Sequence, residues 1–289
     1  MSISRKIKKS IKFLLSCLPT KKVYANVAYL APNKMLKDRV ALVTGGTSGI
    51  GYEIAKAFIN AGATVVITGR IQSRVDNICE KIKKETGAKD KIYGVAFDVS
   101  EVETIKENLE KIISIVGEFD ILVNNAGVLG CNFVDGEPDD FESVINTNLK
   151  GTFFLSQQVA HYMKEQKIRG NILNVASSSS LRPATSAYTL SKWGIRGLTM
   201  GMARMLIPHN IVVNGIAPGP TSTPMLRQDK DMENIGLSQI PAERYVLPEE
   251  IANMAVVLVS DMSRMVIGDI VYMTGGAGIL SYEDVDFTF

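Results

Sequence analysis

The chain has 289 residues, 46% of them hydrophobic and 21% charged, with 24 glycines and 10 prolines. That is enough to bury a large core, and it excludes both disorder and a collagen-like repeat. No apolar run reaches the ~18 residues a membrane span needs. Three dispersed cysteines (Cys17, Cys79, Cys131) and two distant histidines (His161, His209) provide neither a disulfide framework nor a metal cluster, which fits a cytoplasmic protein.

The net charge of +2 conceals a division. Residues 1–37 hold nine Lys or Arg and no Asp or Glu, whereas residues 38–289 hold 23 basic and 30 acidic residues. Residues 1–37 are therefore set apart as a basic N-terminal extension. Within it Arg5, Lys6, Lys8, Lys9 and Lys12 interleave at helical spacing with Ile3, Ile7, Ile11, Leu14, Leu15 and Leu18. Such an arm suits docking on the protein's own oligomer, or peripheral attachment to an anionic membrane through residues 1–20. The acidic body lacks groove-reading motifs, so no nucleic-acid partner is expected.

From Asp38 the chain alternates short β-branched runs with longer helical periods, the pattern of βαβ units on a parallel sheet. Strands are predicted at 39–44, 64–68, 91–97, 120–123, 170–176, 210–216 and 269–273. Helices are predicted at 49–60, 71–86, 101–116, 139–165, 186–206 and 248–259. The expectation is a single doubly wound α/β Rossmann domain over 38–289, a seven-stranded parallel sheet with helices on both faces. Residues 218–247, with four prolines and several Met, Leu and Ile, break the alternation and read as a lid.

Chemistry concentrates after the strands. Thr44-Gly45-Gly46-Thr47-Ser48-Gly49-Ile50-Gly51 joins a strand to a helix, where glycines let backbone amides approach a pyrophosphate. Asn124-Asn125-Ala126-Gly127, Asn148, the run Ser177–Ser180 and Tyr188-Thr189-Leu190-Ser191-Lys192 follow at later strand ends or on adjoining helices. Tyr188 and Lys192, at i and i+4, share one helix face, where an ammonium would lower the phenol's pKa and make it a usable acid/base.

These motifs, in this order and spacing, resemble the short-chain dehydrogenase/reductase family over residues 38–276, with Pro218-Gly219 matching a further motif. The resemblance implies a nicotinamide-dependent enzyme acting on a small carbonyl or alcohol substrate, with no metal. Tyr188 would be the acid/base, and Lys192 would tune it and hold the nicotinamide ribose. Ser177 would orient the substrate carbonyl, with Ser178 and Ser179 as alternatives. Asn148 would hold a relay water. Gly45, Thr47, Ser48, Gly49, Ile50, Gly51, Asp98, Val99, Asn125, Ala126, Gly127, Pro218, Gly219 and Thr221 would line the cofactor site together with Tyr188 and Lys192. Arg70, standing where NAD users place a carboxylate, favours the 2′-phosphate of NADP.

Within the family, 3-oxoacyl-carrier-protein reductases and enzymes of hydrophobic ketones both suit the core. Trp193 is expected to pack or to line a subunit contact. A homotetramer or homodimer is expected through the helices at 139–165 and 186–206, using Phe153, Phe154, Leu198 and Met202. Two readings from other classes are a non-catalytic NADP-binding regulator and a membrane-surface protein located by its arm.

Overall fold

A computed structural model describes residues 34–130, 132–226 and 235–278. The docking of the basic arm, Cys131 and the central part of the expected lid lie outside the described residues.

The strands are β1 Val40–Val43, β2 Thr64–Gly69, β3 Ile92–Ala96, β4 Ile121–Asn124, β5 Asn171–Val175, β6 Val212–Pro218 and β7 Ile270–Met273. The helices are α1 Gly49–Asn60, α2 Gln72–Thr86, α3 Ile105–Val116, α4 Pro138–Ile145, α5 Thr152–Glu165, α6 Ala187–Leu206 and α7 Pro248–Val259. All seven strands are parallel, in the order β3-β2-β1-β4-β5-β6-β7. Ala41, Val43, Val65, Ile67, Ile121 and Val123 face α1, α2 and α7. Leu42, Val66, Leu122 and Ile172 face α3, α5 and α6. Both faces are covered, so the strands are mostly apolar without a regular polar alternation, and their few polar residues, among them Asn124, Asn174 and Asn214, are buried.

The architecture departs from the sequence reading at a boundary, within a helix and in the lid. The first is the N-terminal boundary: Leu36, assigned to the basic extension, is fully buried in the core, and its N–H donates to Ala61 O at 2.9 Å. The folded body therefore includes residues before Asp38.

The second is the long helix expected at 139–165, which is interrupted by a π-helical turn at Asn146–Gly151 between α4 and α5. The turn, Asn-Thr-Asn-Leu-Lys-Gly, holds one large apolar residue, Leu149, so periodicity had nothing there to register the slip. Packing accounts for the turn: Asn148 is drawn inward, and a Cβ on Gly151 would lie 2.4 Å from the Val99 carbonyl oxygen.

The third is the lid. β6 runs on through Pro218, and the end of the segment is anchored rather than loose. Val246 N–H donates to Pro220 O and Ala242 N–H to Gly275 O, both at 2.9 Å, while Ile240 and Val246 are buried. Two residues expected at a subunit contact are also placed elsewhere: Met202 is buried and Leu198 packs on the core, leaving Phe153 and Phe154 exposed.

Because the Gly151 contact is with backbone, Gly151→Ala is expected to cost about 1–3 kcal/mol, as overpacking does. Denaturant unfolding reads this directly, and an unchanged midpoint would mean that the loop carrying Val99 yields freely.

Candidate active site

The carboxyl ends of the strands open onto one cleft of about 560 Å³. It sits where the strand order reverses between β1 and β4, the crevice at which open α/β sheets take ligands. A hydrogen-bonded seam holds the two halves together. Thr44 Oγ1 accepts from the N–H groups of Asn125 (3.0 Å) and Ala126 (3.1 Å). Asn125 Nδ2 donates back to the carbonyls of Thr44 (2.9 Å) and Gly45 (3.1 Å). Gly51 belongs to this seam: its Cβ would stand 2.3 Å from Asn125 Nδ2 and 2.5 Å from Gly45 O. It lies behind the cleft rather than in its lining, so its service to a ligand is close packing of α1 against the turn.

The turn itself fits an anionic cofactor. Gly49 has φ +54°, a left-handed backbone suited to glycine. Its neighbour Ser48 caps α1 without a side-chain hydrogen bond, and the first turn of α1 carries no acidic residue. The N–H groups that open α1 are thus left to a ligand, at the positive end of the helix dipole. Gly45, Thr47, Ser48, Gly49 and Ile50 line the cleft, as do Asn125, Ala126, Gly127, Pro218, Gly219 and Thr221.

At the far end stand Arg70, Asp98 and Val99. Asp98 accepts from Ser100 N (2.9 Å) and Oγ (2.7 Å), which fixes its carboxylate in a turn. Arg74 also lines this end. Sequence reading passed it over, although its place four residues after Arg70, in the first turn of α2, was the available signal. Neither Arg70 nor Arg74 has an ion-pair partner among the described residues.

The reacting end combines β5 and α6. Ser177 follows β5 by two residues in extended conformation, and its Oγ accepts from Ser179 N at 3.1 Å. Ser186 caps α6 by accepting from Thr189 N at 3.1 Å, which sets the helix phase that presents Tyr188 and Lys192. The Ser177 side chain acts on the Tyr188 phenol, favouring its ionised form. Lys192 Nζ donates to Val175 O at 2.8 Å and lies 5.6 Å from the Tyr188 ring centre. Ser177, Tyr188 and Lys192 are thereby brought together on one wall. Ser178 and Ser179 line the same wall.

The electrostatics differ from the expectation that Lys192 lowers the phenol's pKa. Desolvation pushes Tyr188 above its ordinary value, and the Ser177 side chain offsets this only in part. Burial also drives Lys192 down to about 8, so its own charge is weakened. In the chain by itself the phenol is therefore held protonated, which suits a proton donor.

Asn148 is buried but does not line the cleft. Its Oδ1 accepts from Val128 N (2.8 Å), and its Nδ2 donates to Val128 O (2.9 Å) and Ser191 Oγ (3.2 Å). Its side-chain amide thus clamps the strand-four loop to α6. A buried ladder does similar work below. Asn124 Nδ2 donates to Ser156 Oγ and Asn174 Oδ1, each at 2.8 Å, and Asn174 Nδ2 donates to Thr199 Oγ1 at 2.9 Å. Ser156, Asn174 and Thr199 escaped sequence reading because an isolated polar residue inside an apolar strand or helix has no periodic mark.

The chain matches a family model described as short chain dehydrogenase over residues 39–234. It is 37% identical to a 3-oxoacyl-[acyl-carrier-protein] reductase of Thermotoga maritima over 83% of this chain and 98% of that protein. It is 38% identical to a 3alpha-hydroxysteroid dehydrogenase of Mediterraneibacter gnavus over 84% of this chain and 98% of that one. Among solved structures, a 3-ketoacyl-(acyl-carrier-protein) reductase from Brucella melitensis complexed with NADH superposes with a TM-score of 0.76, at 30% identity, covering 84% of this chain and all of that one.

The depressed pKa of Lys192 has a consequence for stability. Between about 8 and its ordinary 10.5 the folded chain has released this proton while the unfolded chain still binds it. Stability from this group therefore rises with pH across that window and is lost as pH falls through it. Unfolding of wild type and Lys192→Met at pH 8 and 10.5 should show wild type gaining on the variant by on the order of 3 kcal/mol. A constant difference would mean that Lys192 titrates normally.

Proposed function

The chain belongs to the short-chain dehydrogenase/reductase family, and on that premise we propose that it is an NADP-dependent oxidoreductase of carbonyl compounds and secondary alcohols. The observation that carries this reading is the joining of Ser177, Tyr188 and Lys192 on the wall of a cleft that also opens onto the uncapped first turn of α1. The bound cofactor supplies the hydride. Ser177 donates to the substrate carbonyl oxygen and orients it, and Tyr188 delivers the proton to that oxygen. Lys192, fixed by Val175 O, holds the nicotinamide ribose. Asn148 is a positioning residue, holding the Val128 wall against α6. With both Nδ2 hydrogens engaged by Val128 and Ser191, Asn148 would offer a relay water the remaining lone pair of Oδ1.

The choice of NADP rests on Arg70, joined by Arg74, at an end of the cleft where β2 finishes without a carboxylate. The Brucella reductase is complexed with NADH, so the preference is argued from these two guanidinium groups alone. On the substrate side the two named relatives act on a carrier-bound 3-oxoacyl group and on a steroid. Leu129, Met225 and Leu226 give this chain an apolar wall there, which supports a carbonyl on a hydrophobic body. The same reading places the enzyme in the cytoplasm as a homodimer or homotetramer, with the T-shaped pair Phe153 and Phe154 (5.2 Å) covered by a second copy.

Tyr188→Phe should lower kcat for reduction by about 10²–10⁴-fold while cofactor affinity, measured by fluorescence titration, changes little. Near-normal turnover would remove Tyr188 from the chemistry. Arg70→Asp should shift the ratio of NADPH to NADH efficiency by about tenfold or more toward NADH, as loss of a charge-assisted contact does. An unchanged ratio would show that Arg70 only faces solvent.

A further inference from the structure

The substrate end of the cleft carries a positive charge, on a loop of fixed backbone, that neither the cofactor nor the proton transfer uses. Arg182 lines the cleft on the loop between β5 and α6, close in the chain to Ser177 and Tyr188. It is exposed, yet its backbone is held at both polar groups. Its N–H donates to Ser179 O at 3.2 Å, and its carbonyl accepts from Trp193 Nε1 at 2.8 Å. The Trp193 ring is in turn covered by Arg196, 5.5 Å from the ring centre. A tryptophan directly after Lys192 thus serves to anchor the loop, where the sequence suggested only packing or a subunit contact. On the other side, Arg182 Nε stands 3.4 Å from where a Cβ on Gly278 would be, so the guanidinium lies over the segment that follows β7.

A long cation on a free loop would lose its conformational freedom on binding; here the backbone part of that cost is already met by the fold. Among the described residues the charge is also uncompensated. No described carboxylate forms an ion pair with Arg182, and Asp98, the one described acidic residue lining the cleft, stands at the opposite, cofactor end. A cleft lined by one sign of charge draws in ligands of the other. The turns after β4 and β6 add Leu129, Pro224, Met225 and Leu226 to the lining, beside the hydroxyls of Thr221 and Thr223.

We propose that Arg182 binds an anionic group of the substrate, so that the preferred substrates are oxo acids: carbonyl compounds with a carboxylate held by the guanidinium and an alkyl body against the apolar wall. This rests on the reductase reading above. The planar fork of Arg suits a carboxylate bidentately, which a lysine cannot reproduce.

The test is a matched series: 3-oxohexanoate, 4-oxopentanoate and 5-oxohexanoate, each beside its methyl ester, reduced with NADPH by wild type, Arg182→Met, Arg182→Lys and Trp193→Phe. The best acid should exceed its ester in kcat/KM by about tenfold or more in wild type, the scale of one charge-assisted hydrogen bond. Arg182→Met should bring that ratio to near one through KM for the acid, Arg182→Lys should restore part of it, and Trp193→Phe should reduce it without removing the cation. Acid-dependent thermal stabilisation of the NADP-loaded protein, present in wild type and absent in Arg182→Met, reads the same site without turnover. Preference for the esters, or a ratio and a stabilisation that Arg182→Met leaves unchanged, overturns the proposal. If the acids stabilise the wild type through Arg182 but neither acid nor ester is reduced, the anion site stands and the reductase reading fails. If esters are reduced and acids neither react nor bind, the reductase reading stands and the anion site fails.

Discussion

The site depends on the seam between β1 and β4. These strands lie side by side at the reversal of strand order, so their following turns diverge and leave a crevice, and Thr44 with Asn125 stitches the rims of that crevice together. The glycines are a corollary of the stitching. A side chain at Gly51 would collide with Asn125 and with the Gly45 carbonyl, and one at Gly45 would stand 2.9 Å from the Ala126 Cα. Only with both positions empty can the first turn of α1 lie close to β4 and offer its N–H groups to the cleft.

From the seam the control passes outward through buried polar contacts. Asn124 leads to Ser156 on α5 and to Asn174 on β5, and Asn174 leads to Thr199 on α6. Asn148, delivered by the π-helical turn, ties Val128 to Ser191 one residue before Lys192. Each link is a buried donor with a defined acceptor, so shifting α6 would leave several groups unpaired at once. The helix that carries Tyr188 and Lys192 is therefore held in register by groups that never touch a substrate.

Much of this was legible in the sequence, and the remainder was hidden for physical reasons. α1 and α7 have the expected bounds, because a strong apolar period and clear breakers mark both ends. The glycine turn, Asn125–Gly127, Ser177, Tyr188 and Lys192 were legible because their spacing is peculiar to one kind of site, and the fold brings them to one cleft. The π-helical turn was illegible because Leu149 is its one large apolar residue, too little to register the slip. The burial of Leu36 was hidden by basic neighbours, since charge counts register the surface of a segment and not its one inward side chain. Arg182 and Trp193 were each visible, but the hydrogen bond between them spans a loop and a helix, and no local pattern encodes it.

The chemistry finally turns on desolvation. A phenol beside an ammonium reads in sequence as an acidified phenol, yet Lys192 is so enclosed that it is driven down to about 8, while Tyr188 is pushed above its ordinary value. The chain thus stores a proton on Tyr188, with Ser177 pulling gently the other way. Tyrosine ¹³Cζ NMR on the full chain, with the Tyr188 signal assigned by its absence in Tyr188→Phe, measures this directly. The account predicts that Tyr188 in the cofactor-free protein ionises above the ordinary 10.0 and moves higher still in Ser177→Ala. Ionisation below that value would contradict it, and would show that the Lys192 ammonium outweighs burial.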